Sequence, residues 1–208
     1  MARTKECVNR TELIIAAAQQ LFSRYGFERT TIDDIARHAG IGKGSVYLEF
    51  QNKEEILLGV IRCFAQRKQA MMTEHLECAK GPYLEELSAM LLAAVMSSYD
   101  IATAHLHTPE VLVHTSRNVK KNFRDHFVFI HNIITQFLEK ALANGELNDS
   151  ESPSRYAELT MLSLTGLMPP YLQFGIPGDE EIPPRARVEQ NAKDILNVLI
   201  SGLKKRSS

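Results

Sequence analysis

The sequence predicts an all-α protein with two parts: an N-terminal three-helix unit that contains a helix-turn-helix, and a larger helical domain after it. Apolar residues recur at helical spacing through most of the 208 residues, and no segment shows the alternation of a β-strand. Polar caps precede the apolar stripes, and Gly or Pro follows them. We predict the domain boundary near Phe64, inside one long helix, which gives domains of residues 1–64 and 65–208.

The stretch from Thr31 to Phe50 has the pattern of two short helices joined by a tight turn. Thr31 can cap the first helix, with Asp34 three residues later in the acidic position of a capping box. Gly40 supplies the positive φ that ends this helix, and a second helix is predicted over about 42–48. The layout is that of a helix-turn-helix, whose second helix can enter the major groove of DNA.

Helices are also predicted on both sides of this motif, each with a pair of capping residues and a Gly or Pro stop. The residues are Asn9, Glu12 and Gly26 for the preceding helix, and Asn52, Glu55, Gly81 and Pro82 for the long helix that follows. The remaining helices are predicted from Tyr83 to about Ala102, from Ser116 to Asn144, from Ser152 to Pro169 and from Arg185 to Leu203, with a short helix at Thr108-Pro109.

The charge is distributed unevenly along the chain. A formal net charge of −1 argues against a histone-like protein that coats DNA by charge alone. Through Ala70, however, eleven residues are basic and eight acidic, against thirteen and seventeen in the rest. This asymmetry favours a nucleic acid as the partner of the N-terminal end.

Cysteine usage and hydropathy favour a cytoplasmic protein. Cys7, Cys63 and Cys78 lack metal-binding or redox spacing, which is typical of reduced thiols in the cytosol. No apolar run approaches the ~20 residues of a membrane span, and no apolar region of signal-peptide type follows the N-terminal charges.

The first quarter of the chain, to about Leu58, resembles the TetR family of bacterial transcriptional regulators. The shared residues are Gly26, Phe27, Thr30, Thr31, Ile35, Ala36, Ala39, Gly40, Lys43, Gly44, Tyr47, Phe50 and Asn52 to Glu55. The resemblance implies a DNA-binding regulator whose second domain binds a small effector. One position departs from the family: Leu48-Glu49 stands where an aromatic residue or His is frequent. Because a carboxylate repels phosphate, we expect no backbone contact from Glu49.

The start of the second helix of the motif is where base edges can be reached. Lys43 can hydrogen-bond guanine, Ser45 can donate or accept, and the glycines beside them let the backbone approach. The resemblance implies phosphate contacts from Tyr47 and Lys53, in agreement with the attraction of helix N-termini for phosphate. For Thr31, an ordinary helix cap is an equal alternative. The predicted DNA contacts are Thr30, Thr31, Gly42, Lys43, Gly44, Ser45, Tyr47 and Lys53.

The second domain is rich in Met and aromatic residues, which suits a plain core and also an apolar ligand cavity. The resemblance implies that a small effector binds there and releases the DNA-binding helices from the operator. Polar side chains such as those of Tyr99 and the nearby histidines would then orient the ligand. The candidate pocket residues are Met96, Tyr99, His105, His107, His114, Phe123, Phe127 and Met161.

A homodimer is expected because one helix-turn-helix reads too few base pairs for useful specificity. The helix that begins at Ser152 and the last helix each carry a broad apolar face, and the resemblance implies that they form a four-helix bundle with their mates. Ser163 and Gly166 would permit close approach of the helices. The predicted interface is Leu159, Ser163, Gly166, Leu196 and Leu199.

Two other classes of function stay open. A helical enzyme or metal-dependent hydrolase could use the seven histidines. Their spacing is poor for a metal, since His107 and His114 lie ~10.5 Å apart along a helix, and no nucleophile elbow, phosphate loop or HExxH is present. We therefore predict no catalysis, no cofactor and no metal, and stoichiometric zinc or iron would favour the enzyme instead. The other alternative is an interaction protein that no longer binds DNA, as Leu48-Glu49 would suggest.

Overall fold

The computed structural model describes residues 9–103, 123–168 and 183–205. Within these ranges the chain is helical, and an isolated bridge between Leu147 and Lys204 is the one piece of β-pairing. The all-α prediction is confirmed. The helices are α1 (Arg10–Tyr25), α2 (Ile32–Ala39), α3 (Lys43–Glu49), α4 (Lys53–Cys78), α5 (Tyr83–Ile101), α6 (Arg124–Ala143), α7 (Pro153–Leu164), which a 3₁₀ turn (Thr165–Leu167) extends, and α8 (Arg185–Leu203).

The chain forms two compact units, each with its own apolar core. The first contains the residues up to Phe64 and a short segment that starts at Ile101; the second contains Ala65–Asp100 and the described residues beyond 116. The core of the first unit is built by the inward faces of α1 to α4, including Ile14, Ala18, Phe22, Ile35, Val46 and Leu57. The larger core of the second unit includes Met72, Leu87, Met90, Ile134, Phe137, Ala157, Val188 and Leu196.

The caps of the first unit explain where its helices begin. Thr31 and Asp34 form the predicted capping box at α2, and Gly40 ends that helix with a φ of 69°. At α1, Asn9 caps through the N–H of Thr11, but the predicted capping box is not observed. The carboxylate of Glu12 lies 3.5 Å from the side-chain amide of Asn9. The side-chain amide of Asn is itself a hydrogen-bond donor, so it attracts the Glu12 carboxylate. In a capping box with Ser or Thr, that carboxylate would accept from the backbone N–H of the cap residue instead.

A carboxylate from a distant loop caps α5. Glu146, which follows α6, accepts hydrogen bonds from the backbone N–H groups of Tyr83 and Leu84 at 2.9 and 3.0 Å. Burial alone would raise the pKa of Glu146, but these hydrogen bonds and one from Asn144 outweigh it and lower the pKa below its ordinary value. The contact joins α5 to the end of α6 inside the second unit.

The predicted end of α5 and start of α7 agree with the structure, but α6 begins only at Arg124, after a non-helical Phe123, and not at Ser116. Ser152 caps α7 through the N–H of Arg155, with Pro153 at the first helical position. The predicted short helix at Thr108, the cap at Ser116 and the stop at Pro169 lie outside the described residues. Across the described ranges, no helix combines the length and hydrophobicity that a membrane crossing requires.

Candidate nucleic-acid interface

The second helix of the helix-turn-helix motif, α3, buries one face and exposes the other. Val46 is fully buried in the core of the first unit. Gly42, Lys43, Gly44 and Tyr47 are exposed, and Ser45 is half-buried. α3 therefore offers the N-terminal half of its outer face to solvent, as a helix that enters a groove must.

Lys43 is held by an ion pair that DNA could replace. Its Nζ lies 3.0 Å from a carboxylate oxygen of Asp33 on α2, and both side chains are about half exposed. The hydrogen bond and the charge of Asp33 raise the pKa of Lys43 above its ordinary value. Exposed pairs of this kind contribute little to stability, so the ammonium can exchange Asp33 for a base or a phosphate at small cost.

The ammonium of Lys53, a predicted phosphate contact, has hydrogen-bond partners within its own chain. Its Nζ donates to the carbonyl oxygens of Phe27 at 2.8 Å and Thr30 at 3.0 Å, and lies 3.4 Å from that of Glu28. It also sits 4.2 Å from the centroid of the Phe27 ring. The three N–H groups of the ammonium thus have three acceptors in the α1–α2 connection. Lys53 thus holds this connection against the start of α4, and its phosphate contact stays a prediction.

The two threonines before α2 have structural roles as well. Thr30 is 2 % exposed, and its hydroxyl donates to the carbonyl oxygen of Gly26 at 2.8 Å. It is therefore unable to reach DNA, and its predicted contact is wrong. Thr31 accepts from the N–H of Asp34 at 3.1 Å and donates to its carboxylate at 2.6 Å. The hydrogen bonds that the hydroxyl and the backbone N–H of Thr31 donate to this carboxylate lower the pKa of Asp34. Together these contacts support the helix-cap interpretation of Thr31.

The departure at Leu48-Glu49 has a structural explanation. Glu49 accepts a hydrogen bond from the hydroxyl of Thr11 at 2.7 Å, which joins the end of α3 to the first turn of α1. Leu48 is 78 % exposed on the outer face, next to Tyr47. An exposed apolar side chain there can contact a thymine methyl group. Leu48 is not among the predicted DNA contacts, although its place one residue after Tyr47 on a short helix was a usable signal.

The candidate effector residues have mixed environments. Met96, Tyr99 and Phe123 are buried, whereas Met161 is half-buried and Phe127 exposed. The Tyr99 hydroxyl donates to the carbonyl oxygen of Pro183 at 2.9 Å, so the protein itself uses the polar group that was expected to orient a ligand. The candidates His105, His107 and His114 lie outside the described residues.

A polar cluster inside the second unit was not predicted. Lys68 Nζ donates to Ser98 Oγ at 3.3 Å, and Gln69 Nε2 lies 3.1 Å from His126 Nδ1. Burial lowers the pKa of Lys68 to about 8. Burial, together with the charge of Lys68, lowers the pKa of His126 to about 4. Because Lys68 and Ser98 are 30 residues apart, no local pattern could have revealed the cluster.

The predicted dimer residues divide into exposed and buried sets. Leu159, Ser163 and Gly166 are exposed on α7, and Leu199 on α8 is half-buried. Leu196 is only 1 % exposed and packs in the core of its own chain, so its assignment to an interface is corrected. Two further apolar residues on these helices are exposed, Leu162 on α7 at 61 % and Val198 on α8 at 75 %.

A metal site in the part of the chain that the structure describes would need three or more ligating side chains close together. No group of three His, Cys, Asp or Glu side chains there could hold a metal ion. On the exposed surface of the motif, Lys43 pairs with Asp33, and the guanidinium of Arg37 lies 3.6 Å from the carboxylate of Asp34.

Comparisons with known proteins agree with the helix-turn-helix. A family model described as bacterial regulatory proteins of the tetR family matches residues 14–60. The HTH-type transcriptional regulator YezE of Bacillus subtilis (strain 168) is 28 % identical over 177 residues, covering 79 % of this chain and 88 % of YezE.

Solved structures share the whole fold. A transcriptional regulator from Cytophaga hutchinsonii ATCC 33406 superposes with a TM-score of 0.77 at 19 % identity, over 93 % of this chain and 98 % of that one. SmeT, the repressor of the Stenotrophomonas maltophilia multidrug efflux pump SmeDEF, gives a TM-score of 0.66 at 18 % identity, over 95 % and 91 %. The motif, the relatives and the shared fold agree: this chain is a transcriptional regulator that belongs to the TetR family.

Proposed function

We propose that this regulator is a repressor that binds a palindromic operator as a homodimer and leaves it when a small apolar or amphipathic effector binds. In this proposal residues 1–64 bind DNA, and residues 65–208 hold the effector and form the dimer. The observation that carries it is the exposed outer face of α3, which a packed three-helix core presents to solvent. Such a protein would act in the cytoplasm, where bacterial DNA lies.

The DNA contacts follow from the exposure along α3. Gly42 and Gly44 leave room for close approach of the backbone, and a Cβ built at either meets no atom within 4 Å. Lys43 and half-buried Ser45 would read base edges. Tyr47 would donate to a phosphate, and Leu48 would contact a thymine methyl.

The homodimer would use the apolar face that α7 and α8 leave exposed. Leu159, Leu162, Ser163 and Gly166 recur at three- and four-residue spacing and therefore share one side of the helix. Val198 and the half-buried Leu199 lie on α8. Clustered exposed apolar residues mark interaction surfaces. A two-fold dimer would align two reading helices with half-sites about one helical turn apart, ~34 Å.

Repression and effector release are supported by what the similar proteins are named. SmeT is a repressor, and a SmeT–triclosan complex superposes on this chain with a TM-score of 0.67. The repressors KstR2 of Mycolicibacterium smegmatis and BepR of Brucella suis also match 41 % and 29 % of the chain, at 33 % and 37 % identity. An effector that prefers a conformation with misplaced reading helices must weaken DNA binding by the same coupling energy with which DNA weakens effector binding.

The experiment is selection of bound duplexes from a random pool by the full-length protein. A palindromic consensus, bound by a species of twice the chain mass in light scattering, would support the proposal. Non-palindromic or sequence-independent binding would contradict it. Transcription from the selected site in a purified system distinguishes repression from activation.

A further inference from the structure

Three helices of the second unit bring a small polar cluster together. Lys68 and Gln69 come from α4, Ser98 from α5 and His126 from α6. Lys68 is part-buried, and Ser98 is buried. Within the described residues no carboxylate pairs with Lys68, whose hydrogen-bonding partner there is Ser98 Oγ. A desolvated ammonium without a counter-charge is costly, so such groups normally have a partner.

The cluster has more hydrogen-bond donors than acceptors. The Ser98 hydroxyl donates to the carbonyl oxygen of Ala94 at 2.8 Å, and its oxygen accepts from Lys68. Because the pKa of His126 is lowered to about 4, its ring is neutral at pH 7. Nδ1 faces the amide nitrogen of Gln69 as an acceptor, which leaves the hydrogen on Nε2. Two N–H groups of Lys68 and the Nε2–H of His126 thus remain for an external acceptor.

The charge of the cluster selects the kind of acceptor. Lys68 is its one cation, and Gln69, Ser98 and His126 around it are neutral. One positive charge and several donors match a monoanion with two oxygens better than a phosphate dianion, which normally requires further cations. A carboxylate has this charge and this number of acceptors.

The surroundings of the cluster indicate what the anion is attached to. One turn along each helix stands an apolar core residue: Met72 after Lys68, Val95 before Ser98 and Ile130 after His126. The same helix faces that carry the polar groups therefore continue into the apolar core of the second unit. A ligand that fits both parts has a charged head and an apolar body.

We propose that Lys68, Ser98 and His126 bind the carboxylate head of an amphipathic effector whose apolar body lies along α4, α5 and α6. This inference rests on the proposed function only where it calls the ligand an effector. Binding of the anion itself does not depend on the proposed function. Lys68 supplies the charge-assisted hydrogen bond, and Ser98 holds the ammonium in position. Occupation of the site by a carboxylate supplies the counter-charge that the described residues lack.

The test measures how tightly the full-length protein binds pairs of ligands that have the same alkyl chain and differ only in the head group. Hexanoate, decanoate and hexadecanoate are compared with the primary alcohols of the same length, by calorimetry and by thermal unfolding. At least one carboxylate should bind about ten-fold or more tightly than its alcohol. In Lys68→Met this preference should disappear while binding of the alcohol persists, and Lys68→Arg should retain it. Lys80→Met, at an exposed lysine after α4, is the matched control and should behave as wild type.

The outcomes separate this inference from the proposed function. Absence of carboxylate binding across the series, equal binding of acid and alcohol, or an unchanged preference in Lys68→Met would each overturn the carboxylate site. If the carboxylate binds through Lys68 but the protein selects no DNA, the repressor proposal fails and the site stands. If selected DNA is released by neutral compounds alone, the regulator stands and the carboxylate site is wrong.

Discussion

The ammonium of Lys53 lies 4.2 Å from the centre of the Phe27 ring and donates to the carbonyl oxygen of the same residue at 2.8 Å. One side chain thus satisfies backbone carbonyls of the connection between α1 and α2 and packs on the aromatic ring in that connection. Lys53 opens α4, so the contact joins three helices of the DNA-binding unit at one point.

Lys53→Met should therefore lower stability more than it changes electrostatic attraction to DNA. Loss of the charge-assisted hydrogen bonds and the cation–π contact should cost about 2 kcal/mol, measured by urea unfolding. The slope of log affinity against log salt should stay the same. A slope smaller by about one per chain, with unchanged stability, would make Lys53 a phosphate contact instead.

Lys43→Ala should weaken binding to the selected operator by about ten-fold to a hundred-fold per half-site, and much less on a duplex changed at the contacted base pair. Stability should hardly change, because the lost pair with Asp33 is exposed. Asp33→Asn is the matched control: it frees the ammonium without removing it, and should leave operator binding intact. Equal weakening on operator and scrambled duplex would identify Lys43 as a phosphate contact.

Glutamate substitutions at exposed and at buried apolar residues should distinguish the dimer interface from the core of the second unit. Leu162→Glu, combined with Val198→Glu, should give a folded monomer in sedimentation velocity, because both side chains are exposed. Leu196→Glu should instead unfold the second unit, since it puts a charge where the side chain is 1 % exposed. A folded dimer in the double variant would move the interface elsewhere.

Lys68→Met should make the apo protein more stable below pH 8. The pKa of Lys68 falls from an ordinary 10.5 to about 8 on folding, so the unfolded chain binds more protons between these values. The free energy of unfolding of the wild type should accordingly rise with pH across this window. Below it, the buried charge of Lys68 destabilises the folded state to the full extent. The advantage of the variant should be about 2 kcal/mol at pH 7 and shrink as the pH rises towards 10.

The neighbouring His126 does not titrate in this window, because its pKa is about 4 and it stays neutral. Urea unfolding of both proteins at pH 7 and pH 9.5 measures the difference. An advantage that does not depend on pH would mean that packing, and not the charge, causes it.

The order and caps of the helices followed from short-range relations along the chain. The capping box of Thr31 and Asp34, the positive φ of Gly40 and the Ser152–Pro153 start of α7 each involve residues within a few positions of one another. Hydrogen bonds across one helical turn depend on residue type and spacing, which are legible in a sequence. The helix-turn-helix and the exposed start of α3 could be predicted for that reason.

Side-chain assignments that depend on distant partners could not be predicted in this way. Lys53 bonds to carbonyls some 26 residues away, and Thr30 is buried by the fold around it. Leu196 and Leu199 have the same hydrophobicity, yet only the first turns into the core.

The sequence by itself determined the helical architecture, the reading motif and the family. The tertiary structure decided which cations are free, which leucines are exposed, and that Lys68, Ser98 and His126 meet. The physical reason is that burial and the pairing of charges depend on which helix faces pack together, and packing joins residues that are far apart in the chain.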